Sequence, residues 1–107
     1  MDALRRVKLL HTVIWAFFVA CIVAIPVLTA LSRFGLAATF AAIVAVEVAV
    51  LLLNRLTCPL TNVAAQYTDD RRANFDIYLP EWLARNNKII FGSLYLLALL
   101  FLWARWL

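Results

Sequence analysis

Residues 34–54 read FGLAATFAAIVAVEVAVLLLN, an apolar run interrupted by a single charge, Glu47. At about 1.5 Å of rise per residue, a helix of this length crosses the roughly 30 Å hydrocarbon core of a bilayer. An ionisable group at such depth persists only where it has a partner, a wet pocket or a function. The stretch therefore points to a helical membrane protein with one polar spot in its core.

The flanking sequence supports that class. Leu9 to Ser32 carries no Asp, Glu, Lys or Arg, and only His11 could titrate. Ile89 to Ala104 is a shorter third run, extended by Arg105, which can snorkel, and by Trp103 and Trp106, which suit the interface. Helices are expected at about 8–32, 35–55 and 88–106. Ser32–Gly35 is a short connection, so the first two helices should be antiparallel neighbours. Arg5, Arg6 and Lys8, with Pro26 and Thr29-Ala30, loosely imitate a signal peptide. Leu28 stands where a small residue is wanted before the cut, and the segment is read as an uncleaved first transmembrane helix.

A polar loop, 56–87, separates the second and third helices. Pro59 to Tyr67 suits a short surface helix begun by proline. Thr68-Asp69-Asp70-Arg71-Arg72 is a solvated turn. Phe75 to Asn87 has an amphipathic pattern, started or kinked by Pro80, and is expected to lie in the membrane interface. The expected fold is an all-α membrane protein, one domain over 1–107, with three transmembrane helices plus this amphipathic interfacial segment between helices 2 and 3.

Composition agrees. Of 107 residues 66% are hydrophobic, whereas a soluble domain sits nearer half. The net charge of +4 does not indicate nucleic acid, because the cations flank apolar segments instead of forming a stripe with aromatics. Eight of the ten (Arg5, Arg6, Lys8, Arg55, Arg71, Arg72, Arg85, Lys88) fall on one side, and Arg33 and Arg105 on the other. That bias places the N-terminus and the long loop in the cytoplasm and the C-terminus outside. Cys21 lies mid-helix and Cys58 at a helix end, so a disulfide between them is not expected.

Packing sets the depth of the polar spot. Ala16, Ala20 and Ala24 on the first helix, and Ala41, Ala45 and Ala49 on the second, form rows at four-residue spacing that are expected to face each other. Placing Ala20 level with Ala45 brings Glu47 near Phe18 and His11 near Asn54. Counted from Lys88, Ser93 and Tyr95 reach the level of Glu47. Glu47, Leu51, Asn54 and Cys58 follow one helix face. A pocket opening toward the cytoplasm is expected, with Glu47, His11, Asn54, Ser93, Tyr95, Cys58 and Thr61 as its ligand-binding residues.

Glu47 suits a ligand anchor or proton relay, or an interhelical hydrogen bond to Tyr95 or Ser93. His11 suits a ligand, a pairing with Glu47, or a contact to a headgroup. Cys58-Pro59-Leu60-Thr61 is a tight turn whose cysteine, close to basic residues, could have a lowered pKa, or could simply start a helix. His11, Glu47, Cys58 and Asp76 contain metal-binding atoms but none of the local spacings of a zinc or iron site, so no metal site and no catalytic residue is assigned. Asp69-Asp70-Arg71-Arg72 invites a headgroup or phosphate, and Arg85 and Lys88 suit anionic lipid.

These residues together resemble an uncharacterised family of small bacterial membrane proteins. Its pattern has a His early in the first helix, a Glu in the second, a Cys-Pro-Leu-Thr turn, and a Phe-Ile-x-x-Tyr-Leu-like segment before the last helix. His11, Glu47, Cys58 to Thr61, and Phe75 with Tyr78 and Leu79 match it. Asp76 stands in place of the Ile, and Asn62 where an acidic residue often follows the turn. The resemblance implies a multi-pass protein of the bacterial inner membrane and carries no activity.

The function expected is therefore non-enzymatic: binding of a lipid-like ligand or a membrane partner through the pocket around Glu47. The partners expected are the bilayer, its anionic headgroups, and a homo-oligomer or larger membrane complex. The aromatic faces that would serve an oligomer are Trp15, Phe17 and Phe18 with Phe91, Tyr95 and Phe101. Two other classes remain open: a membrane redox or metal/haem protein using His11, Glu47 and Cys58, and an oligomeric proton-coupled transporter. The cofactor, if any, is not specified by the sequence.

Overall fold

A computed structural model describes residues 2–107 and contains four helices: α1 Ala3–Ala30, α2 Phe34–Leu53, α3 Pro59–Ala65 and α4 Glu81–Trp106. Three of them, α1, α2 and α4, are long and apolar enough to cross a membrane. The bundle measures 49 Å along its longest axis, longer than the roughly 30 Å hydrocarbon core.

α1 starts earlier than its apolar run because Asp2 caps it. The Asp2 carboxylate accepts from the Arg5 backbone N–H at 2.8 Å, satisfying one of the free donors of the first turn. The helix continues through Pro26 and ends in a Schellman turn. Ser32 takes a left-handed φ of 62°, and the Arg33 N–H donates back to the Leu28 carbonyl at 2.8 Å. This tight closure makes α1 and α2 antiparallel neighbours, as expected. α2 ends at Leu53 in a related way, with Leu56 N–H donating to the Leu51 carbonyl and both Arg55 and Leu56 left-handed.

α4 begins at Glu81 instead of near residue 88. Pro80, extended and without an N–H, sits immediately before the first turn, and residues 81–87 are the first turns of the long apolar helix α4 and not a separate helix. Residues 75–80 are turns and bends, closed by Asn74 Nδ2 donating to the Leu79 carbonyl at 2.9 Å. The short surface helix is present as α3, with proline in its first turn.

The alanine rows do not face each other. Ala16, Ala20, Ala45 and Ala49 are exposed, Ala24 is half-buried, and only Ala41 is buried. The seam is instead Cys21, Ile22, Ile25 and Thr29 on α1 against Ala37, Ala41 and Val44 on α2, joined by Ala98 and Leu102 of α4. Large isoleucines fill the space left by alanines on the partner helix, a denser arrangement than two facing rows of alanine. The vertical register is nevertheless the one expected, because the short turn fixes it: Cys21 and Ile22 lie level with Val44. Phe34 stacks on Trp106 at the far end, with ring centroids 6.1 Å apart.

Candidate functional site

At the basic end of the bundle, residues of α1, α2 and α4 and of the non-helical strap, residues 66–80, line a common space. This space is a half-open cavity of about 560 Å³. This lies within the range of sites for small molecules. Ile14, Phe18, Ile22, Val48, Leu51 and Phe91 make an apolar wall, and Phe75, Ile77 and Leu79 of the strap close it. The polar groups include His11, Glu47, Thr57, Cys58, Thr61, Asp76, Asn87 and Tyr95. Arg71, Arg72 and Lys88 also border it.

The strap is fastened to α1 by a run of polar contacts. His11 Nδ1 lies 3.1 Å from the Asp76 carbonyl oxygen and 3.5 Å from Asp76 Oδ2. Thr61 Oγ1, one turn into α3, donates to the same Oδ2. Asp76 is only 5% exposed, so one buried carboxylate ties α1, α3 and the strap together. One residue along, Tyr78 N–H donates to Thr12 Oγ1 at 2.9 Å, and Lys8 Nζ lies 4.5 Å from the Tyr78 ring centre. Trp15 Nε1 donates to Asn87 Oδ1 at 2.8 Å and meets Phe91 edge-on, fixing the start of α4 against α1.

Five of the seven expected ligand-binding residues line this cavity: Glu47, His11, Tyr95, Cys58 and Thr61. Ser93 does not. It is exposed on the outer side of α4, whose inner face is Phe91, Tyr95, Ala98 and Leu102. Residues two apart point about 200° away from each other on a helix, so Ser93 and Tyr95 cannot both face Glu47. Asn54 is absent from the wall as well. It caps α2, accepting from Asn62 Nδ2 at 3.1 Å and donating to the Thr57 carbonyl.

The pairings differ from those expected. His11 hydrogen-bonds Asp76, and among the described residues no hydrogen bond or ion pair joins it to Glu47. Tyr95 Oη donates to the Ala41 carbonyl at 2.9 Å, deeper in the bundle, and is not a partner of Glu47. No ion pair among the described residues includes Glu47, which is half-buried on the cavity wall. Of the aromatic faces considered for an oligomer, Trp15, Phe18, Phe91 and Tyr95 point inward, and Phe17 and Phe101 point out.

Asp76 is the residue that sequence reasoning undervalued. Its signal was modest: a carboxylate set between Phe75 and Ile77-Tyr78-Leu79, where burial of the neighbours drags the charge inward. Among the described residues no three His, Cys, Asp or Glu side chains cluster closely enough to hold a metal ion.

Two titrating groups at the mouth behave in opposite ways. Arg72 hydrogen-bonds the exposed Asp70 carboxylate through its side chain and its backbone N–H, holding that carboxyl down at about 2 and occupying its own guanidinium. Arg71 donates to the Thr68 and Asp70 carbonyls. Cys58 goes the other way from the lowered value considered for it. Burial, with Glu47 and Asp76 nearby, pushes the thiol up against the opposing backbone bonds of Leu60 and Thr61. Alkylation of Cys58 in a Cys21→Ala background should therefore be slow at neutral pH. Its pH–rate profile should have a midpoint above the ordinary thiol value of about 8.5. A midpoint below that value is the opposite result and would mark a reactive thiolate.

The chain matches no family model, no curated protein and no solved structure.

Proposed function

We propose that this protein spans the bacterial inner membrane and holds one lipid-like molecule in the cavity at its cytoplasmic end. The polar head rests at Glu47 and His11 and the tail lies against Ile14, Phe18, Ile22 and Phe91. The orientation rests on the eight cations gathered at one end, and the bacterial source on the Cys-Pro-Leu-Thr pattern alone.

The observation that carries the reading is the cavity itself. Its wall is apolar and opens among the helices that face lipid, yet it contains Glu47 without an ion pair. An apolar pocket with a few convergent polar groups is what binds an amphiphile. A carboxyl in such surroundings gains from any donor the ligand brings.

Native mass spectrometry from a mild detergent tests this. Wild-type protein is expected to retain one lipid-sized adduct, and Glu47→Gln to retain it about tenfold more weakly, the scale of one hydrogen bond to a charged group. Wild-type protein that never carries an adduct, in detergent or in lipid nanodiscs, would remove the basis of the proposal.

A further inference from the structure

One nitrogen of the His11 ring is already assigned. Its Nδ1 faces the Asp76 carbonyl oxygen at 3.1 Å and Asp76 Oδ2 at 3.5 Å. A backbone carbonyl can only accept a hydrogen bond, so the proton between them belongs to Nδ1. In the neutral ring, Nε2 then carries a lone pair and no proton. Asp76 is fixed in turn, buried and accepting from Thr61 Oγ1, so the ring orientation is set by a rigid acceptor. His11 walls the cavity, its side chain is 14% exposed, and no described residue donates to Nε2.

Building on the lipid-like occupancy proposed above, we infer that the ligand is an amphiphile with a hydroxyl head that donates to His11 Nε2. Its chemical class is a phenol, a quinol or a long-chain alcohol. An ester lipid offers only acceptors and would leave Nε2 unpaired in a low-dielectric site. The phosphodiester group itself has no donor either, and it would bring a negative charge toward Glu47 and Asp76. Arg72 is neutralised by Asp70, whereas Arg71 and Lys88 have no carboxylate partner among the described residues, so a phosphate would be drawn to those two cations and would still give Nε2 no proton. A hydroxyl head satisfies Nε2 without adding charge, and its oxygen remains free to accept. The apolar wall then takes a ring or an alkyl tail.

The chain has a single histidine, so selective 15N-histidine labelling gives the spectrum of His11 alone. With the ring neutral, the expected pattern is a protonated Nδ1 and a bare Nε2. Adding 4-nonylphenol should shift the Nε2 resonance, whereas its O-methyl ether should not, and the ether should bind about tenfold more weakly by the loss of one hydrogen bond. His11→Phe keeps the wall filled and should lower the phenol to the affinity of the ether. A protonated Nε2 in the free protein overturns the inference. Equal binding of phenol and ether also overturns it, while leaving the cavity reading intact. Binding of neither probe overturns both. If His11→Phe does not fold, the tautomer and the phenol-to-ether ratio of the wild-type protein decide the matter.

Discussion

Replacing Asp76 by alanine is expected to release the strap from the bundle and to cost on the order of 3 kcal/mol. The carboxylate is 5% exposed and accepts from Thr61 while lying 3.5 Å from the His11 ring. Hydrogen bonds to a charged group contribute about 1.5–3 kcal/mol each, and donors left buried without an acceptor add their own desolvation cost. Asp76→Ala removes the side-chain acceptor but leaves the backbone carbonyl that His11 also uses. Asp76→Asn keeps one acceptor oxygen for Thr61 and should cost only about 1 kcal/mol.

The loss should be local. Nothing in the seam of Ile25, Ala37, Ala41, Ala98 and Leu102 touches the strap. Amide hydrogen exchange should therefore lose protection over residues 73–79 while the centres of α1, α2 and α4 keep theirs. The melting temperature in detergent should fall further for Asp76→Ala than for Asp76→Asn. Equal melting of all three proteins, with unchanged exchange in the strap, would mean that the buried carboxylate does not fasten it. Ligand retention should fall in step with strap protection, because Phe75, Ile77 and Leu79 close the cavity from that side.

This contact also marks where the sequence stops being readable. The three long apolar helices are legible because their signal is one-dimensional: apolar length between charges sets where α1, α2 and α4 run. The relative depth of α1 and α2 is legible for the same reason, since a short turn leaves only one register. Rotation about each helix axis is not. Residues 37–49 contain alanine on every side of α2, so spacing alone did not reveal that Ala37 and Ala41 face α1 while Ala45 and Ala49 face out. Ser93 lies outside the site because, two residues from Tyr95, it cannot share a helix face with it. The start of α4 is hidden because apolar length does not extend over residues 81–87, although helix propensity and Pro80 carry the helix across them. The His11–Asp76 pairing spans 65 residues and joins a helix to an irregular strap. No local pattern encodes such a contact, and it emerges only once packing has placed both partners. Glu47 could be picked out as a cavity residue because a charge inside an apolar run is visible in one dimension.

The rotation of α2 can be tested by a pair of substitutions that look identical in sequence. Ala41→Leu is expected to destabilise the bundle by about 2–4 kcal/mol, and Ala45→Leu by less than about 0.5 kcal/mol. In lipid the two leucines gain nothing different from transfer, because the surrounding tails are as apolar as the protein interior. What remains is fit. Ala41 is 9% exposed and sits among Ile25, Ala98 and Leu102, where an isobutyl group has to push helices apart. Overpacking of that kind costs about 1–3 kcal/mol. The same displacement pulls the Ala41 carbonyl away from Tyr95 Oη, a bond of 2.9 Å whose loss adds about 0.6 kcal/mol, up to roughly 1.7, for an interhelical hydrogen bond in a membrane. Tyr95→Phe isolates that second part and should cost about 0.6 kcal/mol by itself. Ala45 is exposed, so a leucine there points away from α1 and α4. Unfolding by SDS titration in mixed micelles measures all three variants on one scale. The reverse order, with Ala45→Leu the more damaging, would put Ala45 in an interface. Either α2 would then be turned so that the alanine rows meet, or a second copy of the chain would cover them, and the oligomeric state of the Ala45→Leu protein would separate these two cases.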